Sequence, residues 1–164
     1  MRKHPQGGFT LIEMIVAVSI MAILLGIAVP SFRDASLSSQ LRSLSSELVS
    51  GMSLARSEAI KRNAVATMCV STSGDACTSG TWDQGWIVSV GGTTIKRISA
   101  APAGFKISAA SALTTLSFQP TGVNATAATM TVCRATPPGA QERVVSVNAA
   151  GRAYSRRTTT GVCT

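Results

Sequence analysis

Twenty-one consecutive residues, Phe9 to Val29, carry one charge between them, on Glu13. As an α-helix rising about 1.5 Å per residue, this run measures about 31 Å, the thickness of a bilayer's hydrocarbon core. A secretory signal has a shorter apolar stretch closed by a small-residue cleavage site. Here Pro30 and a polar helical pattern follow, so the run reads as retained protein. Arg2, Lys3 and His4 precede it, and the positive-inside bias places residues 1–8 in the cytoplasm and everything beyond Pro30 on the opposite side. Glu13 is the anomaly. A carboxylate on a membrane helix costs on the order of 2.5–3.5 kcal/mol near the bilayer centre, and less near an interface, so it needs a partner.

From Ser31 to Asn63 the apolar residues Leu37, Leu41, Leu44, Leu48, Met52, Ala55 and Ala59 recur every three or four positions, the period of one helical face. The opposite side carries Ser38, Ser39, Arg42, Ser45, Ser46 and Glu47, so the apolar stripe is expected to pack on a sheet. Lys61 and Arg62 fall where cations suit a helix C-terminus. After Asn63 the pattern changes to short β-prone stretches separated by Gly, Pro, Ser and Thr: 65–70, 86–90, 93–99, 104–108, 113–119, 129–134 and 143–148. Gly91-Gly92 reads as a hairpin turn, and Trp82 and Trp86 read as core residues at a turn. The fold class is therefore α+β, with one small antiparallel domain attached to a long helix.

Four cysteines, Cys69, Cys77, Cys133 and Cys163, match neither zinc-knuckle nor Cys-x-x-Cys spacing. An even number behind a membrane-targeting segment reads as two disulfides formed in an oxidising compartment. Sequence alone allows three pairings, of which Cys69 with Cys77 and Cys133 with Cys163 is the favoured expectation. No cofactor or metal site is expected, and no catalytic residue. The single histidine, His4, lies before the apolar run, and Asp34, Glu47, Glu58, Asp75, Asp83 and Glu142 are scattered without paired spacing.

Fifteen Lys and Arg against seven Asp and Glu give a net charge of +8, and loss of residues 1–8 with Arg2 and Lys3 leaves thirteen against seven, or +6. From Pro120 onward Arg134, Arg143, Arg152, Arg156 and Arg157 face only Glu142. Such an excess favours polyanions, or forms a solvated edge strand that discourages aggregation or meets acidic neighbours in a fibre. If Arg152, Arg156 and Arg157 each neutralised one phosphate, DNA binding would weaken roughly 40-fold between 50 and 200 mM salt. Tyr154 could stack on an unpaired base.

The residues Gly7-Gly8-Phe9-Thr10-Leu11-Ile12-Glu13 resemble the class III leader junction of type IV pilins and type II secretion pseudopilins. The resemblance implies that a prepilin peptidase cuts between Gly8 and Phe9, that Phe9 becomes an N-methylated terminus, and that Glu13 meets such an amine on a neighbouring subunit. The stretch Leu54 to Asn63, Val65 to Cys69, Trp82-Asp83-Gln84-Gly85-Trp86, Phe118-Gln119-Pro120-Thr121-Gly122 and Gly151-Arg152 resemble the GspH/FimT family of minor pilins and pseudopilins, over most of the chain. That resemblance implies a type IV pilin-like fold, a long N-terminal helix whose outer half packs on two small antiparallel sheets.

The organisation it implies is a cleaved leader (1–8), a transmembrane and assembly helix (9–29), its amphipathic continuation (30–63) and a β-rich domain with a basic tail (64–164). It also implies anchoring in the bacterial inner membrane with the domain in the periplasm, then low-abundance incorporation near a pilus tip among other major and minor pilins. Gly151 to Arg157 resembles the C-terminal Gly-Arg-x-Arg region of FimT-like pilins that bind DNA in natural transformation. Tyr154 stands in the place of the second Arg, so Gly151 and Arg152 carry over directly, and Arg156 and Arg157 would supply displaced charge. The alternative membership is a GspH-like pseudopilin of a type II secretion system.

Overall fold

The computed structural model describes residues 9–122, 127–159 and 163; the expected leader, including Gly8, lies outside them. The chain divides between Leu37 and Ser38 into two compact units, and one helix, α1 (Leu11–Arg62), contributes to both.

In the first unit the apolar side chains from Phe9 to Val29 are exposed: Phe9 is 83% accessible and Ile27 70%. The helix is long and apolar enough there to cross a membrane. Its start is closed by a reciprocal cap. The Thr10 backbone N–H and hydroxyl both donate to Glu13 Oε2 at 2.8 Å, while the Glu13 N–H donates back to Thr10 Oγ at 3.3 Å. This is the Thr-x-x-Glu capping box, which satisfies two amides that a helix start leaves open.

In the second unit the remainder of α1 supplies one wall of the core. Leu41, Leu48, Met52, Ala55 and Ala59 are at most 1% exposed. One expectation is corrected. Ser45, placed on the polar side from its neighbours, is fully buried, because the steps 41, 45, 48 and 52 put it on the apolar stripe; Leu44 is only half-buried. The Ser45 hydroxyl stays satisfied by donating to the Arg42 carbonyl at 3.0 Å, one turn back. The helix ends at Asn63, which takes φ 49°, while Ala64 N–H donates to Ala59 O and Asn63 N–H to Ile60 O. That pair of bonds is a Schellman closure with Asn in the left-handed position.

Eight strands follow among the described residues: β1 (Ala66–Val70), β2 (Trp86–Val90), β3 (Thr93–Ile98), β4 (Phe105–Ala109), β5 (Thr115–Phe118), β6 (Ala128–Arg134), β7 (Glu142–Val147) and β8 (Ala153–Thr158). They form two antiparallel four-stranded sheets, ordered β3-β2-β1-β5 and β4-β6-β7-β8. The β2–β3 hairpin turns on Gly91 and Gly92, both with positive φ. In the first sheet Ala66, Met68, Val70, Trp86, Val88, Val90, Leu116 and Phe118 share the buried face; in the second, Phe105, Ile107, Met130, Val132, Val145 and Val147 do.

Trp82 and Trp86 are each 2% exposed, and the Trp82 indole N–H donates to Leu113 O at 2.6 Å. Gly51 sits mid-helix because a side chain there would fall on the Trp86 ring. Two disulfides, Cys69–Cys77 and Cys133–Cys163, have Cα–Cα distances of 5.5 and 5.6 Å. The second ties Cys163 to β6.

Candidate nucleic-acid interface

The basic tail is a strand. The expectation for these residues was open between an extended basic tail and a solvated edge strand; Ala153–Thr158 pairs with β7 as the edge of the second sheet. Because side chains alternate across a strand, this register separates the arginines. Tyr154 and Arg156 lie opposite Ser146 and Val144, on the face away from the core. Arg157 lies opposite Arg143, on the same side as Val145 and Val147. The three arginines therefore do not form one surface, and Tyr154 and Arg156 share a face that Arg157 does not.

Tyr154 is 49% exposed, and Arg152, Arg156 and Arg157 are all exposed. Among the described residues none of these arginines forms an ion pair: Glu58 is taken by Lys61 and Arg62, and Asp75 by Arg97. The Arg62 hydrogen bond to Glu58, with help from the Lys61 charge, holds that carboxyl below its ordinary range. Glu142, the one acid of the tail, is 2% exposed and accepts from the Thr158 hydroxyl at 2.9 Å. Arg134 lies over the Phe105 ring, 5.8 Å from its centre, and belongs to the fold rather than to the open surface.

Arg152 precedes β8, just after Gly151 at φ 71°, and its N–H donates to the Asn148 side chain at 2.9 Å. Gly151 packs on two elements far away in sequence. A side chain there would strike the Gly122 carbonyl and crowd the Arg56 side chain. Arg56, from α1, donates from Nε to that same Gly122 carbonyl at 2.6 Å. Three of the motif segments quoted above thus meet in one place. No local period singles out Arg56; its only signal in the sequence is the motif Leu-Ala-Arg-Ser-Glu-Ala-Ile around it. Thr10 was likewise missed as Glu13's partner, although Thr-x-x-Glu before an apolar run is a capping signature.

A type II transport family, "Type II transport protein GspH", matches residues 44–151, and the prokaryotic N-terminal methylation motif matches residues 3–29. The chain belongs to the GspH family. It carries the helix, the paired sheets and the methylation motif of a GspH/FimT-type minor pilin or pseudopilin. Membership implies association with other pilins and processing by a prepilin peptidase, and the family is one of structural subunits.

Two crystal structures of the type IV minor pilin FimU from Pseudomonas aeruginosa share the fold. One, in space group P21, has a TM-score of 0.59 at 23% identity, covering 72% of this chain and 89% of that one. The other, in P65, has a TM-score of 0.57 at 21% identity, covering 71% and 92%. No curated protein sequence matches the chain.

Proposed function

We propose that this chain is a minor subunit of a type IV pilus that contacts DNA, without sequence preference, through the outer face of β8 and the turn before it. In this reading a prepilin peptidase removes residues 1–8 after Gly8, and Phe9 becomes the methylated terminus. The apolar run then holds the subunit in the inner membrane with the domain outside. Glu13 pairs on assembly with the terminal amine of a neighbouring subunit, an ion pair that offsets the cost of a carboxylate in the membrane.

The observation that carries the DNA reading is an edge strand with exposed Tyr154 and Arg156 on one face, Arg152 beside it, and no ion pair among the described residues to neutralise them. Guanidinium groups suit phosphate oxygens, and an exposed phenol offers a stacking surface to any base. The fold likeness to FimU, a type IV minor pilin, supports the pilus as the machine.

A second reading, a pseudopilin of a type II secretion system, is favoured by the family description itself. Deleting the gene separates the two. A pilus subunit is expected to appear in sheared pili, and its loss to reduce piliation and DNA uptake while protein secretion continues. Normal pili and uptake with a secretion defect would establish the pseudopilin instead.

A further inference from the structure

Beside the turn at Gly151 lies a hollow of about 260 Å³ between the last turns of α1 and the start of β8. Its wall is made by Ser53, Arg56, Ser57, Ile60, Gly151 and Arg152. Two arginines and two serines line it, and among the described residues no carboxylate does; the Ser57 hydroxyl donates to the Leu54 carbonyl at 2.9 Å, which leaves the Ser53 hydroxyl as the one without such a bond to its own helix. The nearest helix acid, Glu58, is bound by Lys61 and Arg62.

Arg56 is not free to swing. Its Nε–H is committed to the Gly122 carbonyl, and its stem lies against Gly151. A guanidinium has five N–H donors in a planar fork, so fixing Nε orients the terminal nitrogens without using them. Among the described residues Arg56 has no ion pair. The glycine leaves room for this contact: a Cβ at 151 would lie 2.5 Å from the Gly122 carbonyl oxygen and press on Arg56 at 3.2 Å. Ile60, 51% exposed, gives the hollow one apolar side.

We infer that this hollow is a phosphodiester subsite, in which Arg56 from the helix and Arg152 from the turn hold one backbone phosphate of single-stranded DNA against Ser53. The inference rests on the DNA reading above and deepens it: the interface starts on α1, passes Arg152 and continues along Tyr154 and Arg156, while Arg157 is outside it. A fork held by a backbone carbonyl loses little rotamer freedom when it binds, which distinguishes Arg56 from the exposed arginines of the strand. Exposed Ile60 provides a surface for a deoxyribose next to the bound phosphate.

The test uses the full processed chain in maltoside micelles, which bring no phosphate of their own, with a fluorescent oligothymidylate as probe. Wild type is compared with Arg56→Gln, Arg56→Lys and Ser53→Glu. Ser53 is exposed and takes no part in the Gly122 contact, so Ser53→Glu puts a negative charge at the hollow without disturbing the lock.

The expected result is affinity about fivefold lower for both Arg56→Gln and Ser53→Glu, with the slope of log K against log salt shallower by about 0.7 in Arg56→Gln, the loss of one phosphate on a single strand. Arg56→Lys, which keeps the charge, should recover part of the affinity. Wild-type binding that neither Arg56→Gln nor Ser53→Glu alters would overturn the subsite and leave the DNA reading intact. A defect in Arg56→Gln alone, with Ser53→Glu like wild type, would reduce Arg56 to a support for the turn and overturn it too. Absence of wild-type binding at 50 mM salt would remove the DNA reading, and the subsite with it.

Discussion

Arg56 and Gly122, sixty-six positions apart, are joined by a 2.6 Å hydrogen bond from the guanidinium Nε–H to the backbone carbonyl, and Gly151 packs directly on that pair. One contact therefore ties the C-terminal part of α1 to the turn after β5 and to the turn that presents Arg152. Any change that moves one of the three is expected to move the others.

Gly151→Ala tests this contact. The position has φ 71°, which costs a residue with a side chain about 1–2 kcal/mol, and the new methyl would also press on the Gly122 carbonyl. A loss of about 2–3 kcal/mol in urea unfolding is expected, together with a changed chemical shift at the Arg56 Nε–H.

Gly51→Ala sets two effects of opposite sign against each other. Alanine improves helix propensity by about 1 kcal/mol, whereas its methyl would fall on the buried Trp86 ring, and overpacking of this kind costs about 1–3 kcal/mol. The ring is 2% exposed and has nowhere to go, so the clash should win. Net destabilisation with altered tryptophan fluorescence is the expected outcome.

The helix, its apolar stripe and seven of the strands were legible because each is written in a local period. Met130 and Val132 against Thr129 and Thr131 alternate as a half-buried strand must. β8 was legible only as one of two readings: its arginines suit a solvated edge strand, but Tyr154 to Arg157 contains no apolar residue on the core side, and pairing with β7 is what makes it a strand. Ser45 was misplaced for a related reason. A hydroxyl that can bond its own helix costs little to bury, so polarity alone did not report its face. The Arg56–Gly122–Gly151 cluster joins three distant segments, and no local period encodes such a meeting.

Replacing Cys133 and Cys163 together by serine removes the cross-link that closes a thirty-residue separation. On the loop-entropy model the cost is about 3–4 kcal/mol, against about 2–3 kcal/mol for the Cys69–Cys77 pair, whose separation is eight. Urea unfolding of the two double mutants should rank them in that order, with β8 amides losing hydrogen-exchange protection in the first.

Glu13→Gln separates membrane insertion from assembly. Gln can still accept from Thr10, so the capped helix start should survive and insertion should be no poorer. If Glu13 meets a neighbouring amine, losing its charge removes a charge-assisted bond worth about 1.5–3 kcal/mol, and incorporation into sheared fibres should fall about tenfold or more. Unchanged incorporation would show that the cap is the residue's whole role.

The central claim is that the face carrying Tyr154 and Arg156, with Arg152 beside it, holds DNA. Its most direct test is a salt series of single-stranded DNA binding by the full processed chain, with Arg152→Gln, Arg156→Gln and Arg157→Gln made one at a time. The account predicts measurable affinity at 50 mM salt that falls steeply by 200 mM. Arg152→Gln and Arg156→Gln should each make the salt slope shallower by about 0.7, and Arg157→Gln should bind like wild type. No binding at low salt, or equal loss in all three variants, would contradict it.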